Sequence, residues 1–276
     1  MKFIRIFTNA RAIVAMSSLL VTSQASATTA PNTPIRPATA LSARAVSRPL
    51  AQPVDSSCRD SFADEFAGTT AHPNWQWIDP DDDAAYSLSD RPGYLRISAP
   101  NNDNRLDYER ANAPRMMRTV SSMSMTLQTT VESTPTVDYG GAGLLLYQDR
   151  SNFIRLEHGS GQSGPSVNLA RFINDEWSLE VAVSSSQTVE LKLERHNQVI
   201  SAFWRDSNAP WQLIGTSSVT WTSTISAGLG LNSAHDSTGH SADFASFGYC
   251  DSSVPPASVT YLPMIRRKGD LLIRGQ

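Results

Sequence analysis

Between Cys58 and Cys250 the chain is a succession of short apolar-rich runs broken by turn residues, with no sustained 3.6-residue period. The clearest run is Val189-Glu190-Leu191-Lys192-Leu193-Glu194, apolar and charged by turns. On a strand this places every apolar side chain on one face. His196-Asn197-Gln198 then makes a turn into Val199-Ile200-Ser201-Ala202-Phe203-Trp204. Further strand candidates are 61–66, 86–89, 94–99, 123–132, 142–148, 152–158, 166–172, 176–183, 211–215, 225–231 and 242–249. Turn signals recur every eight to twelve residues, the spacing of a sandwich or barrel, and no fixed-length repeat is present. The expected class is all-β with antiparallel sheets.

The centre of the pattern is Gly140 to Gly159, two runs joined by the short link Asp149-Arg150-Ser151. A link of that length makes a hairpin. In the second run Phe153, Arg155 and Glu157 share one face, and Ile154, Leu156 and His158 share the other. An oily face opposite a charged one predicts a sheet with one buried and one wet side. Tyr147, Arg155 and Glu157 are then expected on the wet side, on a concave surface if that side curves inward.

The N-terminus carries Lys2, Arg5 and Arg11, a mostly apolar run over 12–21, and then Ala25-Ser26-Ala27. This is the pattern of a secretory signal peptide cleaved after Ala27. The apolar run is about half the roughly 20 residues a membrane-spanning helix needs, so no transmembrane segment is expected. Removing those three cations from 23 Lys+Arg leaves 20 against 26 Asp+Glu, a net charge of −6. A modestly acidic protein without a dense basic stripe makes a poor nucleic-acid binder. Export also bears on Cys58 and Cys250. An even count outside the cytosol invites a bridge, and a monomer offers only this pairing. It would close a loop worth roughly 5 kcal/mol in the chain-entropy model and make the first and last strands neighbours. Residues 28–57, rich in Ala, Pro, Thr and Ser, read as a disordered linker. Residues 251–276 read as a tail whose short apolar patch, Tyr261 to Ile265, frays or contacts a cell surface.

Motif searches for catalysis come out largely negative. Glycoside hydrolysis needs two carboxylates about 5 to 9.5 Å apart. Glu190 and Glu194 share a face, but four residues along a strand separate them by about 13 Å. Asp81-Asp82-Asp83 has no strand period and reads as solvated charge. His72, His158, His196, His235 and His240 show no paired metal-ligand spacing. No Gly-x-Ser-x-Gly elbow or phosphate loop occurs, and Gly159 to Gly164 reads as a flexible turn.

Several motifs in order point to a family. Asp64-Glu65-Phe66, Trp75-Gln76-Trp77 with Pro80, Tyr86-Ser87-Leu88 and Gly93-Tyr94-Leu95-Arg96-Ile97 are followed by Ala113-Pro114-Arg115. Then come Ala142-Gly143-Leu144-Leu145-Leu146-Tyr147, Asn152-Phe153-Ile154-Arg155-Leu156, Leu193-Glu194-Arg195 with Trp211, Ala227-Gly228-Leu229 and Asp243-Phe244. Over most of residues 60–250 the chain resembles concanavalin A-like jelly-roll modules, in particular the C-terminal domain of family 43 β-xylosidases. One departure is the turn Asp206-Ser207-Asn208-Ala209-Pro210, where such modules often carry Asp-Gly. Concanavalin-like glucanases usually carry Glu-x-Asp-x-x-Glu on one strand, and no such run occurs here. The resemblance implies a two-sheet antiparallel β-sandwich with termini side by side.

It also implies two kinds of site. Jelly-roll modules often hold a structural ion near the joined termini. With Cys58 opposite Cys250, Glu65 falls opposite Asp243, and Asp64, Glu65 and Asp243 would suit Ca²⁺; a bulge without an ion explains the same pattern. Sugar recognition combines aromatic faces with planar polar groups, and the expected ligand-binding residues are Tyr147, Arg155, Glu157, Arg171 and Trp177. Trp75, Trp204, Trp211, Trp221 and Trp77 suit core or loop anchoring. Three functions follow as expectations: an exported, non-catalytic module for a glycan or polysaccharide; a glycoside hydrolase or lyase with a nonstandard site; or an adhesive surface protein.

Overall fold

A computed structural model describes residues 58–252, apart from 101–102, 135–139, 162–163, 185, 223 and 234–238. The expected signal peptide, the linker up to residue 57 and the tail beyond residue 252 lie outside the described residues. The strands are β1 (Cys58–Asp64), β2 (Gln76–Ile78), β3 (Ala85–Ser87), β4 (Leu95–Ala99), β5 (Arg115–Ser121), β6 (Ser124–Ser133), β7 (Gly141–Asp149) and β8 (Asn152–Gly161). They continue as β9 (Gly164–Ile173), β10 (Glu176–Val183), β11 (Thr188–His196), β12 (Val199–Asp206), β13 (Gln212–Ser218), β14 (Thr224–Asn232) and β15 (His240–Ser252). No helix occurs among the described residues.

All thirteen expected strands are present; β2 and β5 were not foreseen. In β5 the adjacent Met116 and Met117 are both buried, Met116 against the main core and Met117 in a second cluster. A strand buried on both faces shows no alternation to read.

One sheet runs β13-β12-β11-β6-β15-β4-β3, and the other β10-β9-β8-β7-β14-β5-β2. Every pairing is antiparallel. β15 is long enough that β4 pairs with its first half and β1 with its second. The main core lies between the sheets. Leu127, Val131, Leu191, Leu193 and Phe247 of the first meet Leu144, Leu146, Ile154, Leu156 and Leu229 of the second. This is a β-sandwich with its first and last strands adjacent.

The register between those strands differs from the one expected. Ser61, not Cys58, stands opposite Cys250, and Cys58 stands opposite Ser252. A bulge between Cys58 and Asp60 shifts the ladder. β1 ends at Asp64, opposite Phe247, so Glu65 never reaches Asp243. Asp243 instead faces Glu132 on β6 and Arg96 on β4. Two like charges across a ladder repel. Here two guanidiniums relieve them. Arg96 grips Asp243 through Nε at 2.7 Å and Nη2 at 2.8 Å, and Arg91 bridges Glu132 at 2.5 Å and Asp243 at 2.9 Å. Burial alone would raise the Asp243 pKa, but these hydrogen bonds outweigh it and hold the carboxyl below its ordinary value. Asp64 accepts from the Phe66 amide at 2.8 Å and from the Trp75 indole at 2.9 Å. The three acids expected to share a cation are therefore not brought together, and the described residues contain no group of three or more His, Cys, Asp or Glu placed to hold a metal.

Arg195 ends the alternation of β11 on the core side, fully withdrawn from water. It donates to the carbonyls of Asn197 at 3.0 Å, Trp221 at 3.1 Å and Thr222 at 3.0 Å. It thereby ties the β11–β12 turn to the segment leading into β14, and burial lowers its pKa. Replacing Arg195 with Met should leave these carbonyls without their donor and cost about 3 kcal/mol or more in chemical denaturation. A loss under about 1 kcal/mol would contradict the clamp.

His158 lies beyond Leu156 on the inner side of β8, with no exposed surface. Burial pushes its pKa down to about 4, with Asp206 and the Ser186 backbone opposing and His240 adding to the fall. The unfolded chain, near the ordinary 6.5, takes up its proton first as pH falls. The contribution is thus complete above pH 6.5 and fades toward pH 4, a loss on the order of 3 kcal/mol. His158→Gln should flatten the slope of unfolding free energy against pH in that window; an unchanged slope would contradict the assignment.

Candidate functional site

The outward face of the second sheet carries the candidate site. Register places Trp177, Phe172, Phe153 and Tyr147 in one row across β10, β9, β8 and β7. The next row is Leu179, Ala170, Arg155 and Leu145. Phe153 tilts against Phe172 at 5.6 Å and stacks with Tyr147 at 6.3 Å. With Leu106, Ala113, Met117 and Leu145 they form a second apolar cluster, on the opposite side of the sheet from the main core.

That face was expected to be wet, and at its centre it is not. Arg155 and Glu157 are each only 6% exposed. The cover is the excursion 103–113, folded as a small hairpin by the Leu106–Ala111 bridge. Asp107 caps its turn, accepting from the amides of Glu109 at 2.7 Å and Arg110 at 2.9 Å. Asn232 Oδ1 receives the Leu106 amide at 3.0 Å, pinning the hairpin to β14. The acidic loop read as solvated charge is a second anchor: Asp83 accepts from Asn104 at 2.8 Å and Asp81 from Asn112 at 2.6 Å.

Beneath this cover Arg155 Nη1 meets Glu157 Oε1 at 3.2 Å. Burial pushes the Glu157 carboxyl up, against the opposing pull of Arg155. Beside them lies a cavity with room for about one water molecule, bordered by Leu106, Arg115, Gly143, Arg155, Glu157 and Gly230. Gly143 has no substitute here, because a Cβ would stand 2.0 Å from the Leu156 carbonyl oxygen. Arg115 on β5 is also buried and donates to the Ala113 carbonyl at 2.8 Å. Burial lowers its pKa, and the Tyr147 ring lies 5.4 Å from its guanidinium carbon. Trp177 sits at the rim, half-buried, 5.7 Å from the Arg155 guanidinium and 5.8 Å from the ring of exposed Tyr108.

Of the five expected ligand residues, the structure gathers Tyr147, Arg155, Glu157 and Trp177. Arg171 is a correction. It pairs with Ile154, whose side chain enters the main core, so it projects from the opposite face. There it donates to Thr216 O at 2.8 Å and Ser178 Oγ at 3.0 Å and pairs with Glu180, closing the edge between the sheets. The other tryptophans are anchors: Trp204 and Trp221 in the main core, Trp75 and Trp77 packed against it, and Trp211 between Lys192 and Arg205. Sequence reasoning missed Arg115 and Tyr108 as site residues. The Arg115 signal was its place in Ala113-Pro114-Arg115; Tyr108 carries none.

Comparison with known proteins then decides the family. The family described as the β-xylosidase C-terminal concanavalin A-like domain matches residues 63–250. The chain belongs to this family. A xylan 1,3-β-xylosidase of Vibrio sp is 27% identical over 169 residues, covering 58% of this chain and 29% of that protein. Among solved structures, the GH43 BlXynB protein from Bacillus licheniformis superposes with a TM-score of 0.59 at 17% identity, over 68% of this chain and 39% of that one. A xylan β-1,4-xylosidase from Bacillus halodurans gives a TM-score of 0.58 at 21% identity, over 68% and 38%. The chain thus matches less than two fifths of the length of these relatives. In this domain Asn208 supplies the left-handed residue (φ 64°) of the turn that departs from the Asp-Gly such modules often carry.

Removing Arg155 should expose the cost of its buried partner. Arg155→Met leaves a carboxylate in apolar surroundings, and a loss of about 3 kcal/mol is expected at pH 7.5. The loss relative to the parent should shrink at pH 5, where Glu157 more readily carries a proton. A penalty independent of pH would contradict this reading.

Proposed function

We propose that the chain is an exported, non-catalytic carbohydrate-binding module whose binding surface is the outward face of the second sheet. The observation that carries this reading is the rim around Arg155. Trp177 and exposed Tyr108 offer aromatic faces beside the charged pair Arg155 and Glu157, the combination that suits C–H surfaces and hydroxyls. Membership in a domain family of β-xylosidases favours a plant-type polysaccharide such as xylan as the ligand. Residues 1–27 direct export in this account, and a Cys58–Cys250 bridge ties the first strand to the last. The bridge is favoured by the β1–β15 pairing and by the lack of a free cysteine among the described residues.

Binding is favoured over hydrolysis because, among the described residues, Glu157 is the one carboxylate bordering the cavity. Hydrolysis of a glycosidic bond ordinarily needs two. A glycan array probed with the full chain should return β-linked pentose or hexose polymers. Trp177→Ala should weaken that binding at least about tenfold while leaving the fold intact by circular dichroism. A folded protein that binds nothing on the array, or release of reducing ends from xylan, would contradict the proposal.

A further inference from the structure

The charge balance under the 103–113 hairpin points to a narrower class of ligand. Two arginines and one carboxylate border the cavity. Arg155 gives Nη1 to Glu157, and its buried Nε meets no hydrogen-bond partner among the described residues. Among the described residues Arg115 donates only to carbonyls, Ala113 at 2.8 Å and Ala111 at 3.5 Å. Among the described residues no carboxylate lies within ion-pair distance of it. A buried cation without a counter-charge is costly, and so is a buried donor without an acceptor.

A small anion would answer both deficits. A carboxylate has the planar geometry that guanidinium donors match, and charge-assisted bonds of this kind are about twice as strong as neutral ones. Size narrows the choice further. The cavity admits a group of about water size, enough for the tip of a carboxylate and too small for a sugar ring. The ring would remain outside, where Trp177 and Tyr108, 56% exposed, stand.

We infer that the cavity between Arg115 and Arg155 receives the carboxylate of a uronic acid residue, so that the ligand is an acidic glycan rather than a neutral one. This rests on the carbohydrate-binding reading above and names its substrate class.

Calorimetric titration of the full chain with glucuronic acid-substituted xylan oligosaccharides, and with the same oligosaccharides after reduction of the carboxyl to hydroxymethyl, separates the two claims. The acidic form should bind at least about tenfold more tightly, and its advantage should shrink as salt rises. Arg115→Gln should erase the advantage, so that the acidic and reduced forms bind that variant equally. Arg115→Lys, which keeps the charge without the planar fork, should retain part of it and guards against a folding defect in the first variant. Tyr108→Ala, at an exposed position, should weaken both forms alike. Equal binding of both forms by the parent chain would overturn the uronate assignment and leave sugar binding standing. Binding of neither would overturn both, and equal competition by free acetate would reduce the site to a simple anion pocket and overturn the assignment.

Discussion

The ion pair between Arg155 and Glu157 is the constraint around which the second sheet is arranged. Both residues lie on β8, whose inner face is committed to the main core through Ile154 and Leu156. Period-two alternation then forces Phe153, Arg155 and Glu157 outward, and the 103–113 hairpin covers them. A strand buried on both sides must satisfy its polar groups internally. One bond of 3.2 Å does so for Glu157 and only partly for Arg155. The remainder of the site follows: an arginine with spare donors, a second arginine without a carboxylate, and aromatic rings at the margin.

The first sheet solves comparable charge problems differently. Glu132 and Asp243, opposed across a ladder, are neutralised by Arg91 and Arg96 in half-exposed positions. Glu190 pairs with Arg205, and Lys192 with Glu194, on its outer face. In these networks each carboxylate meets a cation that is itself partly exposed, a setting in which ion pairs contribute little; Arg205 Nε is nonetheless, like Arg155 Nε, buried without a hydrogen-bond partner among the described residues. What sets the outward face of the second sheet apart is Arg115, a buried arginine with no carboxylate within ion-pair distance among the described residues.

Much of the fold was legible because antiparallel strands with one buried face write their alternation into the sequence. Val189 to Glu194 is the plainest case. β5 escaped because Met116 and Met117 are buried on opposite sides. Site residues were legible only as far as a single strand carries the information. Arg155 and Glu157 were read onto one face because they are two residues apart on β8. Their burial was not, since the covering hairpin lies some forty residues earlier and is held by Asn232, Asp81 and Asp83. Arg171 was assigned to the wrong face because nothing local states how β9 registers with β8. The expected Glu65–Asp243 encounter failed for a similar reason: β1 registers with β15 so that Cys58 faces Ser252 rather than Cys250, and a bulge adds one further residue of shift.

The most direct test of the account is to map where a sugar touches the folded protein. In an ¹⁵N-resolved NMR titration with acidic xylan oligosaccharides, the account predicts amide shifts concentrated on β7 to β10 and the 103–113 hairpin, with side-chain signals of Arg115 and Arg155 moving alongside the Trp177 indole. Shifts centred instead on the outer face of the first sheet, around Lys192, Phe203 and Trp211, would contradict it.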